Sequence, residues 1–336
     1  MLDHAVHRRN TRLSHDQLDG CISDFLHPRF SIDATSLLPL KRRMNSRASV
    51  SSIIAVASLL SACAPIRTET VSAHHARSSL LNNTVDFGWD GGTVRPDLLR
   101  SIGVELMIHR VTRGGTKSDV DYVRREHAAR TAGLKWGAYH YVNRAGNLEA
   151  QIDRFIHVVA ATAARNGTTG HPVLMVLDNE GRDRVSWTQL AWAAQHLRAH
   201  TGVWPLLYCS VPLPGMPTFD QQERELEALT STERQVLKSS GLWIPRYGEQ
   251  SGMHMTFSVP RVFGTWSFWQ YCGDINGHPK TALLGPEFTG DVGGAYTRSG
   301  GRGTLRHFCD RNFFNGSHSS FEKFYREHSS PVSAWR

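Results

Sequence analysis

The 336-residue chain has little of what would place it in a metal, redox or membrane-spanning class. It carries five cysteines and no Cys-x-x-Cys, and the spacing of the last three, Cys209, Cys272 and Cys309, fits no zinc site. Three thiols cannot all pair within one chain, so buried free thiols are the default, with a Cys272 to Cys309 bridge as the alternative. Its 18 histidines include no His-Glu-x-x-His, so no metal is expected. No apolar run is long enough for an ordinary internal membrane helix, and no internal repeat is visible. The formal charge of +8 shrinks beyond Cys63, where 30 basic residues face 25 acidic ones. These charges are scattered without a nucleic-acid motif and read as a solvated surface, which excludes a nucleic-acid partner and suits anionic surroundings.

The first feature present is an export signal. Lys41, Arg42, Arg43 and Arg47 precede the short apolar stretch Val50 to Leu60, which ends at Leu60-Ser61-Ala62-Cys63. The last four residues resemble the lipobox of bacterial lipoproteins, which implies a diacylglyceryl group on Cys63 and a membrane anchor of one protein N-terminus. The expected organisation follows: residues 1–43 an upstream extension from a misassigned start, 44–62 the signal peptide, 63–80 the lipid anchor and tether, and 81–336 the folded domain. An ordinary cleaved signal with an accidental cysteine is the alternative. Anchoring would place the protein in the cell envelope. In a bacterium with two membranes, Ala64 after the lipidated Cys favours the outer membrane, facing the periplasm.

Beyond residue 80, strand and helix patterns alternate. Strands are expected at 85–87, 104–111, 134–141, 172–177, 204–209, 241–247, 264–271 and 305–310. Ser118 and Asp121 suggest a helix with Val120, Val123, His127 and Thr131 on one face. Leu148, Ile152, Phe155, Val159 and Ala163 mark a long amphipathic helix. Ser186 caps another that presents Trp187, Leu190, Ala194 and Leu197. Two helical stretches occupy 219–239, and Phe321, Phe324 and Tyr325 suggest a closing helix. After Tyr247 the helical period is lost, and 273–303 is a loop with nine glycines. Eight strands in a domain of this size point to an α/β fold, an irregular, TIM-like (β/α) barrel whose last three strands lack regular intervening helices.

The apolar run Pro172 to Leu177 ends in Asp178-Asn179-Glu180. Such a run reads as a strand buried on both faces, and active sites of α/β folds form at the carboxyl ends of these strands. Residues two apart on a strand share a face, which sets the two carboxyl groups roughly 6 to 7 Å apart. Paired carboxylates at that separation suit glycoside cleavage, with one protonated acid and one carboxylate that acts through water or the substrate's own acetamido group, since a direct nucleophile needs about 5 to 5.5 Å. Mutual repulsion helps to keep Glu180 protonated. Strand-end acids also cap helices or pair with cations, here Arg182 and Arg184, and the tripeptide alone is consistent with both readings.

Taken in order, Asp86-Phe-Gly, Gly137-Ala-Tyr-His-Tyr141, Leu177-Asp-Asn-Glu180, Leu207-Tyr-Cys-Ser210, Leu242-Trp-Ile-Pro-Arg-Tyr247, Trp269-Gln-Tyr271 and Asp310-Arg-Asn-Phe-Phe-Asn-Gly316 resemble glycoside hydrolase family 25, across nearly all of residues 82–316. The resemblance implies a lysozyme cutting the β-1,4 bond between N-acetylmuramic acid and N-acetylglucosamine, without metal or organic cofactor. It implies Glu180 as general acid/base with Asp178 as partner, and Asp86 and Asp310 as further acids of one pocket. Tyr139, Tyr141, Tyr208, Tyr247, Trp269 and Gln270 are the expected substrate contacts, although aromatic residues at strand ends also serve as core. Trp243 reads as structural. His140 alternates with Tyr139 and Tyr141 and so faces away, as a core histidine. The expected partners are peptidoglycan glycan strands and the membrane lipid, with the protein a monomer.

Two departures stand out. Gly88 replaces the Ser that the family usually places two residues after its first Asp, with Trp89-Asp-Gly-Gly92 following. The glycine-rich loop is also longer than the family norm. The rival readings are a silent peptidoglycan-binding lipoprotein and a hydrolase of chitin-like polymers. The four intact acids argue against the first, because binding alone has little need for carboxylates that repel one another. The second family has a longer acidic run.

Overall fold

Eight strands close into a barrel in the structure, a computed structural model that describes residues 68–88, 91–209, 218–247, 254–273, 290–299 and 305–336. The expected extension 1–43, the expected signal peptide 44–62 and Cys63 lie outside these residues. Around the barrel the strands run Leu81–Phe87, Leu106–Arg113, Lys135–Tyr141, Pro172–Asn179, Leu206–Cys209, Leu242–Pro245, Phe268–Cys272 and Asp310–Phe314, and the last pairs back onto the first. Neighbours are parallel except at Asp310–Phe314, which is antiparallel to both strands beside it.

That exception corrects one expectation. Residues 305–310 do not form the eighth barrel strand; Leu305–Arg306 joins a separate small sheet, and the barrel strand begins at Asp310. A reversed strand carries its first residue to the rim where parallel strands end. Asp310 therefore stands directly opposite Asp86 in the register.

Strand periodicity divides the core in two. Leu174 and Val176, with Leu106, Ile108, Leu206, Trp243, Phe268 and Phe314, fill one cluster inside the barrel. Val173, Met175 and Leu177 face the other way, into a larger cluster that includes Ile152, Phe155, Val159, Leu190 and Leu197 from the surrounding helices. Both faces of Pro172–Asn179 are thus covered, which explains its unbroken apolar run. The helices Leu148–Asn166 and Trp187–Thr201 bury the expected faces, the second with a capping box between Ser186 and Gln189. Helices Phe219–Glu227, Ser231–Ser240 and His318–His328 also form. His140 behaves as expected: it is buried, its Nδ1 lies 2.8 Å from Thr112 Oγ1, and its ring stacks on Phe155. Burial pushes its pKa down to about 4.

The helix Tyr122–Thr131 buries a different face from the one expected. Val120 lies outside it and is exposed, while Tyr122, Arg125, Glu126 and Ala129 point inward. Polar partners override the apolar pattern: Glu126 pairs with Arg130 at 3.2 Å and accepts from Asn166 and Thr168. Part of the expected tether is ordered too. Thr68–Ser72 forms a strand paired with His254–Ser258, and Ala73–Ser79 a short helix capped by Ser72. Both belong to the compact unit 64–336. The glycine-rich loop is described at 290–299, where Tyr296–Ser299 pairs with Thr93–Val94 and with Leu305–Arg306. Gly92 is required there, since a Cβ would lie 2.4 Å from the Tyr296 ring. Among the described residues no helix is long and apolar enough to cross a membrane.

Candidate active site

The interior face of Pro172–Asn179 continues from Leu174 and Val176 to Asp178, and Glu180 stays extended at φ −134°, ψ 173°. Asp178 and Glu180 therefore share the face that opens at the carboxyl rim. The structural alternatives for Glu180 are not used: its side chain caps no helix, and Arg184 pairs instead with Glu225 at 3.3 Å. In the register Asp178 lies between Tyr141 and Tyr208.

Asp86 reaches the same rim from the first strand and is held tightly. Its Oδ1 accepts from Gln270 Nε2 and from Asn312 Nδ2, each at 2.8 Å. Trp243 Nε1 in turn donates to Asn312 Oδ1 at 2.8 Å, so Trp243 is structural and also orients a holder of Asp86. Gln270 is a hub, whose Oε1 accepts from Tyr208 at 2.8 Å and from Tyr247. Two carboxamides thus stand between the acids and the barrel core, each fully engaged. Gln270 was expected to touch substrate; buried, with both ends of its amide committed, it positions Asp86, Tyr208 and Tyr247 instead.

Trp269 is not brought to this group. It is one residue out of phase with Gln270, wholly buried against Phe257, Trp266 and Phe313 on the outside of the barrel, and its Nε1 donates to Arg246 O at 2.9 Å. Three contributors escaped the sequence reading. Asn312 was discoverable as the residue two beyond Asp310, on the same face. Arg110 and Arg113 had no such signal, because their role is set by charge across the rim.

Electrostatics separate the acids from ordinary surface carboxylates. Burial raises Asp178 well above the usual range, and the charges of Glu180 and Asp86 raise it further, against Arg110 and Arg113. Burial also raises Glu180, opposed by Arg113. Repulsion between two such carboxylates favours a state in which the pair holds one proton. Tyr139 and Tyr208 are raised by burial and by Asp178, so both phenols remain donors. Asp178 Oδ1 is buried with no hydrogen-bond partner among the described residues. Gly88 has its own reason: a Cβ there would lie 3.3 Å from Tyr139 Oη and 3.5 Å from Arg110 Nη1, so these two side chains fill the space that a larger residue would take.

An ionised carboxylate with a raised folded pKa weakens the fold. Its contribution is most favourable below the unfolded pKa of about 3.9 and is lost as pH rises through the folded pKa. Asp178→Asn is therefore expected to raise Tm at pH 7 relative to the unmodified protein, with the gain shrinking near pH 4. Calorimetry at the two pH values checks this, and an equal Tm at pH 7 would contradict it.

The three cysteines among the described residues, Cys209, Cys272 and Cys309, are buried, and no disulfide joins them. Among the described residues two sets bring metal-type ligand atoms together, Asp153 with His196 and His200, and Glu105 with His318 and Glu322. Neither includes a rim acid, and in the second Lys135 Nζ already neutralises Glu322 at 2.7 Å.

A closed barrel with paired, desolvated carboxylates at its carboxyl rim defines the glycoside-hydrolase class of site. Residues 82–277 match the family described as Glycosyl hydrolases family 25, and the chain belongs to that family. It is similar to the muramidase from Acremonium alcalophilum, at 19% identity over 72% of this chain and 97% of that one, with a TM-score of 0.46. It is also similar to the lysozyme from Streptomyces coelicolor, at 21% identity over 70% and 93%, with a TM-score of 0.44. No curated protein matches it in sequence.

Proposed function

We propose that the protein is a peptidoglycan hydrolase that cleaves the β-1,4 bond between N-acetylmuramic acid and N-acetylglucosamine. The observation that carries this reading is the desolvated Asp178–Glu180 pair, with the unpartnered Oδ1 of Asp178. Glu180, the less buried of the two, gives its proton to the leaving glycosidic oxygen. The acetamido oxygen of the sugar bonds to the anomeric carbon as that bond breaks, while Asp178 accepts a hydrogen bond from the acetamido N–H. A donor at Asp178 favours its ionised form, so substrate binding moves the shared proton to Glu180. Glu180 then takes a proton from the water that opens the cyclic intermediate. Tyr139 supplies a donor at the rim, and the Tyr208–Tyr247 pair, whose hydroxyl protons go to Gln270, supplies acceptors. A sugar trapped covalently on Asp178 would overturn the acetamido route.

Mass spectrometry of borohydride-reduced products, after incubation of residues 64–336 with purified peptidoglycan, tests the bond assignment. Reduced muramic acid ends are expected. Reduced glucosamine ends would assign the other bond, and peptidoglycan retained without products would favour the binding lipoprotein.

The envelope location is part of the same proposal and rests on the Leu60-Ser-Ala-Cys63 sequence. Metabolic labelling with a radioactive fatty acid should mark the protein and be lost in Cys63→Ser. Equal labelling of both would exclude that anchor.

A further inference from the structure

Gly181, the residue after Glu180, lines the edge of a cleft of about 650 Å³. Its wall includes Arg144, Arg182, Arg184 and Trp187, with Glu225 and Leu229 from the neighbouring helix segment. That size lies within the range of clefts that hold small ligands.

The charges around it do not cancel. Arg184 is matched by Glu225 at 3.3 Å, and Asp183 by Arg113 at 3.5 Å. Arg144 and Arg182 are exposed and have no carboxylate partner among the described residues. The main chain sets one of them: Arg144 N donates to Asp183 O at 2.8 Å, which ties the loop after the Lys135–Tyr141 strand to the turn that follows Glu180. Two unmatched guanidinium groups thus sit on a cleft that starts one residue from the general acid. The reacting sugar ring, neutral apart from its substituents, gives them nothing to bind.

We propose that this cleft holds a free carboxylate of the peptide carried by the muramyl residue beside the scissile bond, an inference that rests on the peptidoglycan reading above. A muramyl peptide is covalently attached to the chain being cut, so an anion on it arrives beside Glu180 with the substrate. The planar guanidinium fork matches a carboxylate in two-point contact, and such charge-assisted bonds are the stronger kind. The cleft thereby sets a preference for peptide-bearing over bare glycan.

The test compares kcat/KM, read as new reducing ends, for the unmodified protein and the double variant Arg144→Gln, Arg182→Gln. Three substrates are used: peptide-bearing sacculi, the same sacculi stripped of phosphate-linked polymers by hydrofluoric acid, and glycan strands freed of peptide by an amidase, which keep only the lactyl carboxylate next to the ring. The unmodified protein should cut both peptide-bearing substrates about tenfold better than bare strands, as one or two charge-assisted contacts would give. In the double variant this ratio should fall close to one, with partial recovery when both positions are Lys. A ratio near one in the unmodified protein, or an unchanged ratio in the variant, would overturn the proposal. Loss of the preference after hydrofluoric acid alone would assign the anion to a polymer phosphate and overturn it too. Absence of cleavage on all three substrates would instead sink the peptidoglycan reading itself, and the cleft proposal with it.

Discussion

Glu180→Gln should lower kcat on purified peptidoglycan by about 10³-fold, within the range that a positioned general acid contributes. The substitution keeps shape and removes only the transferable proton. Glu180 caps no helix and pairs with neither Arg182 nor Arg184, so only the attraction of Arg113 depends on its charge. Its Tm at pH 7 should hold or rise, because a desolvated acid is being neutralised. Turnover assays and a melting curve on the same preparation check both halves. Retained activity would remove Glu180 from the chemistry, and a lower Tm would mean that the carboxyl supports the fold.

The second large effect is expected away from the acids, at Arg125. Its side chain is buried, with Nη2 donating to Gly92 O at 2.7 Å and Nη1 to His109 Nε2 at 2.9 Å, over the ring of Phe87. Nη1 also lies 3.5 Å from Gly88 O. Arg125 therefore fastens both ends of the segment that follows the Asp86 strand. Arg125→Met keeps the volume but strips these buried acceptors of their donor, at a cost of about 3 kcal/mol. For a domain of this size that lowers Tm by roughly 6 to 12 °C. A Cβ added at Gly88 would lie 3.3 Å from the Tyr139 hydroxyl, so this backbone runs beside that phenol and kcat/KM should fall as well. Arg124→Met is the control: Arg124 is exposed and makes a surface ion pair with Asp121 at 2.9 Å, worth less than about 1 kcal/mol. Equal melting shifts in the two variants would refute the bracing role.

Which residues were legible in the sequence follows from how local their signals are. Period-two alternation along a buried strand is local, so the sharing of one face by Asp178 and Glu180, and the turning away of His140, could be read directly. Helix caps are local as well, which is why Ser186 marked its helix correctly. Trp269 was misplaced because a motif of three residues does not say which of two alternating faces is inside. Its neighbour Gln270 faces inward and holds Asp86, while Trp269 packs outside the barrel.

The sequence by itself determined the barrel class, the position of the acid pair at a strand end and the core faces of the long helices, because each rests on periodicity over adjacent turns or residues. Only the tertiary structure decided the direction of the last strand, which places Asp310 opposite Asp86, and the inward turn of Arg125 and Glu126 on a helix with little apolar pattern. It also decided the chain from Trp243 through Asn312 to Asp86, and the two unmatched arginines beside Glu180. These depend on hydrogen bonds and charges between residues far apart in the chain. Whether a buried polar group is satisfied is a property of its surroundings, and no local sequence pattern encodes it.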